Sequence, residues 1–490
     1  MSMISSGQTY AAPINYHGTD KLILGIVLAV ITFWLFAQTT LNIAPAMGAD
    51  LKISHNLNNI AVSITALFSG IFIVVAGGLA DRIGRVKMTY AGLILSIAGS
   101  LLIVVSPSGT AGFLLAGRIL QGLSAACIMP ATLALMKAYF DGKERQRALS
   151  FWSIGSWGGS GLCSLFGGLV ASTIGWRWIF VMSILVAIIS YLLLRGTPES
   201  KLVVAEKKIF DWAGLIAFII SMVALNIVIG QGSGLGWLSP VILTGVAVFI
   251  VSAIVFFRIE TKSKKSFVDL ALFNNKTFSG ATLSNFLLNG AAGTLLVSLA
   301  LVQQEAGLSS LQSGLITVGY LVAILSTIRV GEKLLQKMGP RKPMLLGCCI
   351  TGLGILLTTF TFLLAKEYII AAFIGFTLFG IGLGFYATPS TDAALSNVPD
   401  DKAGSASGIY KMASSLGAAF GVAISAAIFY GLSNRKGFSP MAEIFMGRTD
   451  NIGVRYAAGM GLLFNIFMVV IAIVAILITV PKVGIKNAFE

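Results

Sequence analysis

The sequence predicts an all-α polytopic membrane protein with fourteen transmembrane helices, built as two six-helix halves with two further helices between them. Three observations predict this. Only 11% of the 490 residues are charged and 56% are hydrophobic, whereas a soluble globular chain carries roughly 25% charged residues. The uncharged runs have the length of a bilayer crossing, about 20 residues. The first six runs also resemble the last six.

The expected spans lie in the charge-free runs 22–49, 53–80, 88–117, 119–136, 148–176, 178–194, 212–257, 277–304, 306–328, 343–365, 368–391, 412–434 and 456–481. The first is too long for a signal sequence and is expected to remain as an anchor. Ser106-Pro107-Ser108-Gly109 separates the third span from the fourth, which continues through Arg118 to about Tyr139. The run 212–257 exceeds one crossing, and Gln231-Gly232-Ser233-Gly234 divides it in two. Backbone groups find no partners in lipid, so such continuous runs form helices; without two-residue alternation they do not form a barrel.

An even number of spans puts both termini on one side. The loops on that side carry 24 Lys and Arg, against 7 on the other. The positive-inside rule therefore predicts both termini in the cytoplasm. The loop 433–455, with four basic residues on the outer side, runs against it. The net charge of +15 belongs to loop topology, and no nucleic-acid partner is expected. The cysteines, Cys127, Cys163, Cys348 and Cys349, sit in apolar stretches without metal or redox spacing. No cofactor or metal is expected.

The internal repeat is clearest where Pro130–Gly159 parallels Pro389–Gly417. Each stretch has a span with a late proline, a short charged turn (Asp141-Gly142-Lys143-Glu144 or Pro399-Asp400-Asp401-Lys402), then a helix of small residues. The turns 81–87 and 336–342 also match loosely. The expected divisions are an N-terminal bundle at 1–200, two inserted helices with linkers at 201–276, and a C-terminal bundle at 277–490. Paired halves around a cavity are a transporter architecture.

Gly77, Gly84, Gly159, Gly167 and Gly168 let helices approach closely. Asp81, at the end of span two, can meet a positive helix N-terminus or an arginine. Arg118 lies inside span four, where a cation is costly and faces a cavity or an acid. The stretch Gly77-Gly78-Leu79-Ala80-Asp81-Arg82-Ile83-Gly84-Arg85 resembles motif A of the major facilitator superfamily. Arg118-Ile119-Leu120-Gln121-Gly122 resembles its motif B, and Gly159, Gly167 and Gly168 fit its antiporter motif C. Trp176-Arg177-Trp178 and the span number resemble the fourteen-span drug:proton antiporters, and the wording of spans five and twelve is similar to bacterial multidrug exporters. The resemblance implies that Asp81, with Arg82 and Arg85, latches the cytoplasmic side, and that Arg118 serves proton coupling or substrate organisation.

The sequence departs from that family in two places. The aspartate that many relatives carry on span one is replaced by Ala37 or Gln38, and the Gly-Pro of motif C by Cys163-Ser164. The remaining membrane-embedded acids are few. Asp392, near the cytoplasmic end of span twelve, is expected at the depth of Lys411 on span thirteen. A buried Lys–Asp pair resolves two expensive charges, either as a static pair or as one whose protonation changes with the gate. Trp34, Gln38 and Asn42 recur every four residues, as do Asn285 and Asn289, so each set is expected on one helix face. With Gln121, Trp152, Tyr320 and Tyr386 they are candidates to line a substrate cavity, since a few polar groups in an aromatic wall suit amphipathic molecules.

No GxxxxGK[ST] phosphate loop and no catalytic constellation is present. The chain is thus expected to be a monomeric, non-enzymatic transporter of the cell membrane. It would export hydrophobic or amphipathic drugs, with protons as the exchanged partner and the lipid bilayer as its surroundings. An exporter of one native metabolite or lipid, and a non-transporting sensor or assembly partner, are the alternatives.

Overall fold

A computed structural model describes residues 10–11, 16–202, 211–262, 270–307, 315–433 and 452–482. Helices dominate. Those of the first half are α1 (Asp20–Ile31), α2 (Thr40–Leu51), α3 (His55–Ile83), α4 (Arg85–Val104), α5 (Gly112–Tyr139), α6 (Gly142–Ser153), α7 (Gly159–Thr173) and α8 (Arg177–Leu194). Then come α9 (Trp212–Leu235) and α10 (Pro240–Lys262). The rest are α11 (Lys276–Gly290), α12 (Gly293–Ala306), α13 (Val318–Met338), α14 (Arg341–Thr358), α15 (Ala365–Ser396), α16 (Ala403–Ser433) and α17 (Ile452–Thr479). A two-residue antiparallel pairing of Tyr10–Ala11 with Lys201–Leu202 is the exception among the described residues.

Twelve helical stretches among the described residues are long and apolar enough to cross a membrane, against the fourteen expected. The fifth expected position is helical, and at the tenth, expected over 306–328, the described helix runs from Val318 to Met338, with 308–314 outside the described residues. The fifth is divided into α6 and α7 by a π-helical turn, Ile154–Gly158. The tenth, α13, carries Arg329, Glu332, Lys333 and Lys337, so its composition is less apolar than a span's. A second π turn, Thr32–Ala37, joins α1 to α2. It replaces the uniform helix over which Trp34, Gln38 and Asn42 would have shared a face: the wider turn changes the angular step between residues. Trp34 and Gln38 are half-buried, whereas Asn42 is exposed.

The chain forms two compact units. One comprises residues 1–228, 240–275 and 395–412; the other 229–239, 276–394 and 413–490. In the first, Phe36, Ile43, Met47, Leu51, Ile103, Leu114, Ile179 and Phe180 pack into one apolar core. In the second, Val297, Leu301, Phe376, Phe429, Ala458 and Leu462 do the same. Within the first unit α5 is central and mostly buried, while α10 is mostly exposed. The inserted helix α10 thus keeps an apolar surface of Val241, Leu243, Ile250, Val251, Ile254 and Phe257 that suits lipid contact.

The repeat is visible in matching contacts inside each unit. A Cβ on Gly99 would strike the Gly117 carbonyl at 2.7 Å, and one on Gly117 the Gly99 carbonyl at 2.6 Å. In the other unit Gly354 and Gly375 stand in the same reciprocal relation, at 2.5 and 2.6 Å. Glycine at both positions lets two helix backbones touch. Arg177 at the start of α8 donates to the carbonyls of Val104 (3.2 Å) and Ser106 (3.1 Å). Arg455, near the start of α17, donates likewise to Thr361 and, at 2.9 Å, to Leu363. Arg455 is one of the four basic residues that ran against the charge rule, and it is a buried structural donor. Residues 434–451, which hold the other three, lie outside the described residues.

Candidate functional site

The first cluster is built on the turn between α3 and α4. Gly84 takes φ +129°, which a side chain would resist, and lets α4 start immediately after α3 ends. This puts Asp81 and Arg85 four residues apart and both buried. Asp81 Oδ1 accepts from Arg85 Nε (3.0 Å) and Nη2 (2.8 Å) and from the Gly404 amide (2.9 Å). Its Oδ2 accepts from the Ser405 amide at 2.9 Å and from the Ser405 hydroxyl at 3.4 Å. Gly404 and Ser405 open α16, so the carboxylate caps a helix N-terminus, where unpaired amides and the helix dipole favour negative charge.

Arg85 has further ties. Its guanidinium donates to the Asp400 carbonyl at 2.5 Å and to the Ser200 hydroxyl at 3.2 Å. Lys137 at the end of α5 pairs with the Asp400 carboxylate at 3.2 Å and donates to the Val398 carbonyl. Arg145 holds Ser396 Oγ at 2.8 Å. The Glu199 carboxylate accepts from the amides of Val86 (2.9 Å) and Lys87 (3.0 Å), capping α4. Arg82 is half-buried and makes no ion pair or hydrogen bond among the described residues. The sequence pointed to Asp81 and Arg85 but missed Glu199, Ser200, Asp400 and Lys137; an acid directly after span six was the available signal.

Backbone contact holds the same crossing. A Cβ on Gly77 would collide with the Gly404 carbonyl, and one on Gly408 would lie 2.9 Å from the Ile73 carbonyl. Gly77→Ala is therefore expected to lower stability by about 1–3 kcal/mol, because backbone cannot rotate away from a new methyl. Motif C supplies the control. A Cβ at Gly167 would strike the Thr39 methyl and one at Gly159 would lie 3.1 Å from Trp34 Cβ, but Gly168 faces open space. Gly168→Ala should melt as wild type does in detergent, and equal melting of Gly77→Ala would refute the close-crossing account.

The second cluster surrounds Arg118, which is 1% exposed. Its Nε donates to the Ala61 carbonyl at 2.9 Å, and Nη1 to the Ala37 carbonyl at 2.8 Å and Gln121 Oε1 at 2.7 Å. Gln121 Nε2 donates in turn to Ser100 Oγ at 3.2 Å. Among the described residues no carboxylate pairs with Arg118. The expected coupling residue is held by carbonyls, one of them at the end of the first π turn. Gln121, expected in a cavity wall, is enclosed with it because two buried polar side chains satisfy each other.

The third cluster is Lys411 with two indoles. Its ammonium lies 4.5 Å from the ring centre of Trp152 and 5.9 Å from that of Trp34. Trp152 Nε1 donates to Thr132 Oγ1 at 3.0 Å. Trp34 sits in the first π turn and Trp152 two residues before the second. Asp392 is buried and falls in the second unit, Lys411 in the first.

The other cavity candidates divide. The Gln38 carboxamide makes no hydrogen bond among the described residues, and Asn42 Nδ2 lies 3.9 Å from Cys163 Sγ. In the second unit Asn285 is enclosed, donating to Ser414 Oγ at 2.5 Å, and Asn289 donates to Asn285 Oδ1 at 2.8 Å. Tyr386, 1% exposed, bonds through its hydroxyl with Ser284 (2.7 Å) and Ser390 (2.9 Å). A buried phenol needs such partners, and both lie within that unit. Tyr320 is half-buried, with its ring 5.9 Å from Phe379.

The chain is 51% identical to the quinolone resistance protein NorB of Staphylococcus aureus strain MRSA252 over 468 residues, 96% of this chain and 97% of the relative. It matches NorB of strain Newman equally, over 95% of this chain and 97% of that one. Among solved structures, a double-tryptophan variant of XylE matches with TM-score 0.64 at 17% identity, covering 95% of this chain and 96% of the other. The proton:xylose symporter XylE bound to 6-bromo-6-deoxy-D-glucose gives 0.62 at 15% identity, covering 91% and 94%. At such identities the likeness speaks for the fold. The profile of the Major Facilitator Superfamily matches residues 22–422, and this chain, with its motif A turn seated on a helix N-terminus, belongs to that superfamily.

Proposed function

We propose that the protein is a multi-pass secondary active transporter that exports hydrophobic or amphipathic drugs from the cytoplasm in exchange for protons, by alternating access. The near full-length similarity to quinolone resistance protein NorB, 51% over 96% of the chain, carries the substrate class. The Asp81 cap supports a gate: one carboxylate gathers five donors through contacts that a modest helix displacement would break. The Gln38 carboxamide, without a hydrogen bond among the described residues, is the group we assign to substrate contact at the end of the first π turn, and Asp392 the acid we assign to the proton. Arg118 is a positioning residue that fixes the π turn bearing Trp34. The protein acts as a monomer with both termini in the cytoplasm, and a cysteine replacing exposed Lys143 should react only from that side.

Flux in proteoliposomes tests this reading. An imposed pH gradient should drive a fluoroquinolone and a lipophilic cation against their concentration, with counter-movement of protons. Transport insensitive to the gradient would remove proton exchange, and transport of neither compound would remove the drug-exporter reading.

A further inference from the structure

Lys411 is a buried cation without an anion in its own unit. The side chain is 6% exposed, and among the described residues its ammonium has no hydrogen bond or ion pair within that unit. Two indole faces lie near it, at 4.5 and 5.9 Å. Ring quadrupoles ease desolvation but do not neutralise a charge. Beside it, the Trp34 Nε1–H is fully buried and has no acceptor among the described residues. A buried indole N–H normally finds a partner, and an orphaned one calls for an explanation. Here the two unsatisfied groups are both donors, one of them charged, on side chains that touch the same space. Trp152 differs: its N–H is already taken by Thr132, so it contributes only a face.

We propose that Lys411 and Trp34 form a receptor for the carboxylate of an aromatic substrate. One carboxylate oxygen would pair with the Lys411 ammonium, the other would accept from Trp34 Nε1, and the ring of Trp152 would back the ammonium. A planar monoanion with two acceptor oxygens matches one cation and one neutral donor; a phosphate would leave oxygens unpaired here. The flanking Phe33, 5.2 Å edge-on to Trp34, gives the substrate's ring an aromatic neighbour. The first π turn bears on the geometry, since it holds Trp34 in a wider turn than a plain α-helix would give, whereas Trp152 stands on the last α-helical turn before the second. This inference rests on the drug-exporter reading and specifies part of its substrate class.

The test is equilibrium binding to the purified full-length protein in nanodiscs. The probes are a fluoroquinolone, its ethyl ester, and tetraphenylphosphonium as a carboxylate-free cation. Wild type should bind the acid about ten-fold tighter than the ester. Lys411→Gln should lose about ten-fold affinity for the acid and keep the other two within about two-fold, abolishing the preference. Trp34→Phe keeps an aromatic face but removes the N–H together with the five-membered ring. It should cost about three-fold for the acid while changing the ester and tetraphenylphosphonium equally and less, which separates the lost donor from the lost ring volume. Equal binding of acid and ester by wild type overturns the proposal, even if Lys411→Gln fails to fold. A folded Lys411→Gln that weakens all three probes equally also overturns it and assigns the residue to packing or proton transfer. Either result leaves the exporter reading standing; that reading fails separately if wild type neither binds nor moves any probe.

Discussion

Asp81→Asn should reduce proton-driven export at least about ten-fold while the protein still inserts and reaches the membrane. The reason is local. Each carboxylate oxygen of Asp81 faces donors: Arg85 and the Gly404 amide on Oδ1, the Ser405 amide and hydroxyl on Oδ2. An asparagine must turn its NH2 toward one of these sets, setting donor against donor, and it removes the charge that balances fully buried Arg85. Breaking one partner of a buried pair costs about 3–5 kcal/mol. The capped start of α16 would therefore be held loosely, whereas the apolar spans that direct insertion are unchanged. Export and surface expression measured in the same cells check this. Full export by Asp81→Asn would exclude a gating role for the cap.

The second large effect is expected at Arg118. Arg118→Lys keeps the charge but should lower the melting temperature by roughly 5 °C or more and export about ten-fold or more. The guanidinium spans two backbone carbonyls, Ala61 and Ala37, on different helical segments, together with Gln121. A single ammonium cannot reach that forked set, and each lost bond to a charged donor costs about 1.5–3 kcal/mol. Freed from Arg118, the end of the first π turn would shift and move Trp34 with it. If Arg118 instead carried the proton, Arg118→Lys would melt normally and alter only the pH dependence of export. A melting curve beside a pH–flux profile separates the two.

The candidate site was legible in parts. Asp81 and Arg85 stood out because the same seven residues contain the turn, the acid and the glycine that forces the turn, so the capping chemistry is nearly local. Their partners Asp400 and Ser405 lie more than 300 residues away, and nothing near Asp81 names them. Tyr386 and Asn285 read as wall residues because a polar aromatic and an amide within a span suit a cavity equally well as a buried hydrogen bond. In the structure each is buried and bonded to a serine of the second unit, Tyr386 to Ser284 and Asn285 to Ser414. The stripe on span one failed for another reason. A helical period assumes a uniform helix, and the π turn at Thr32–Ala37 breaks the count between Trp34 and Asn42.

The sequence by itself determined that this protein is helical, that it lives in a bilayer and that its halves repeat. Hydropathy, loop charge and helix-breaking glycines are one-dimensional properties that survive without knowledge of neighbours. It also determined where the motif A turn lies, since Gly84 at φ +129° is a local backbone requirement. Only the tertiary structure decided what each buried charge meets. Arg118 found carbonyls of two other helical segments where an acid was sought, and Lys411 found two indole faces contributed from 259 or more residues away in the chain. A charge in low dielectric is governed by the few groups within a few ångströms of it, and packing of distant segments chooses those groups.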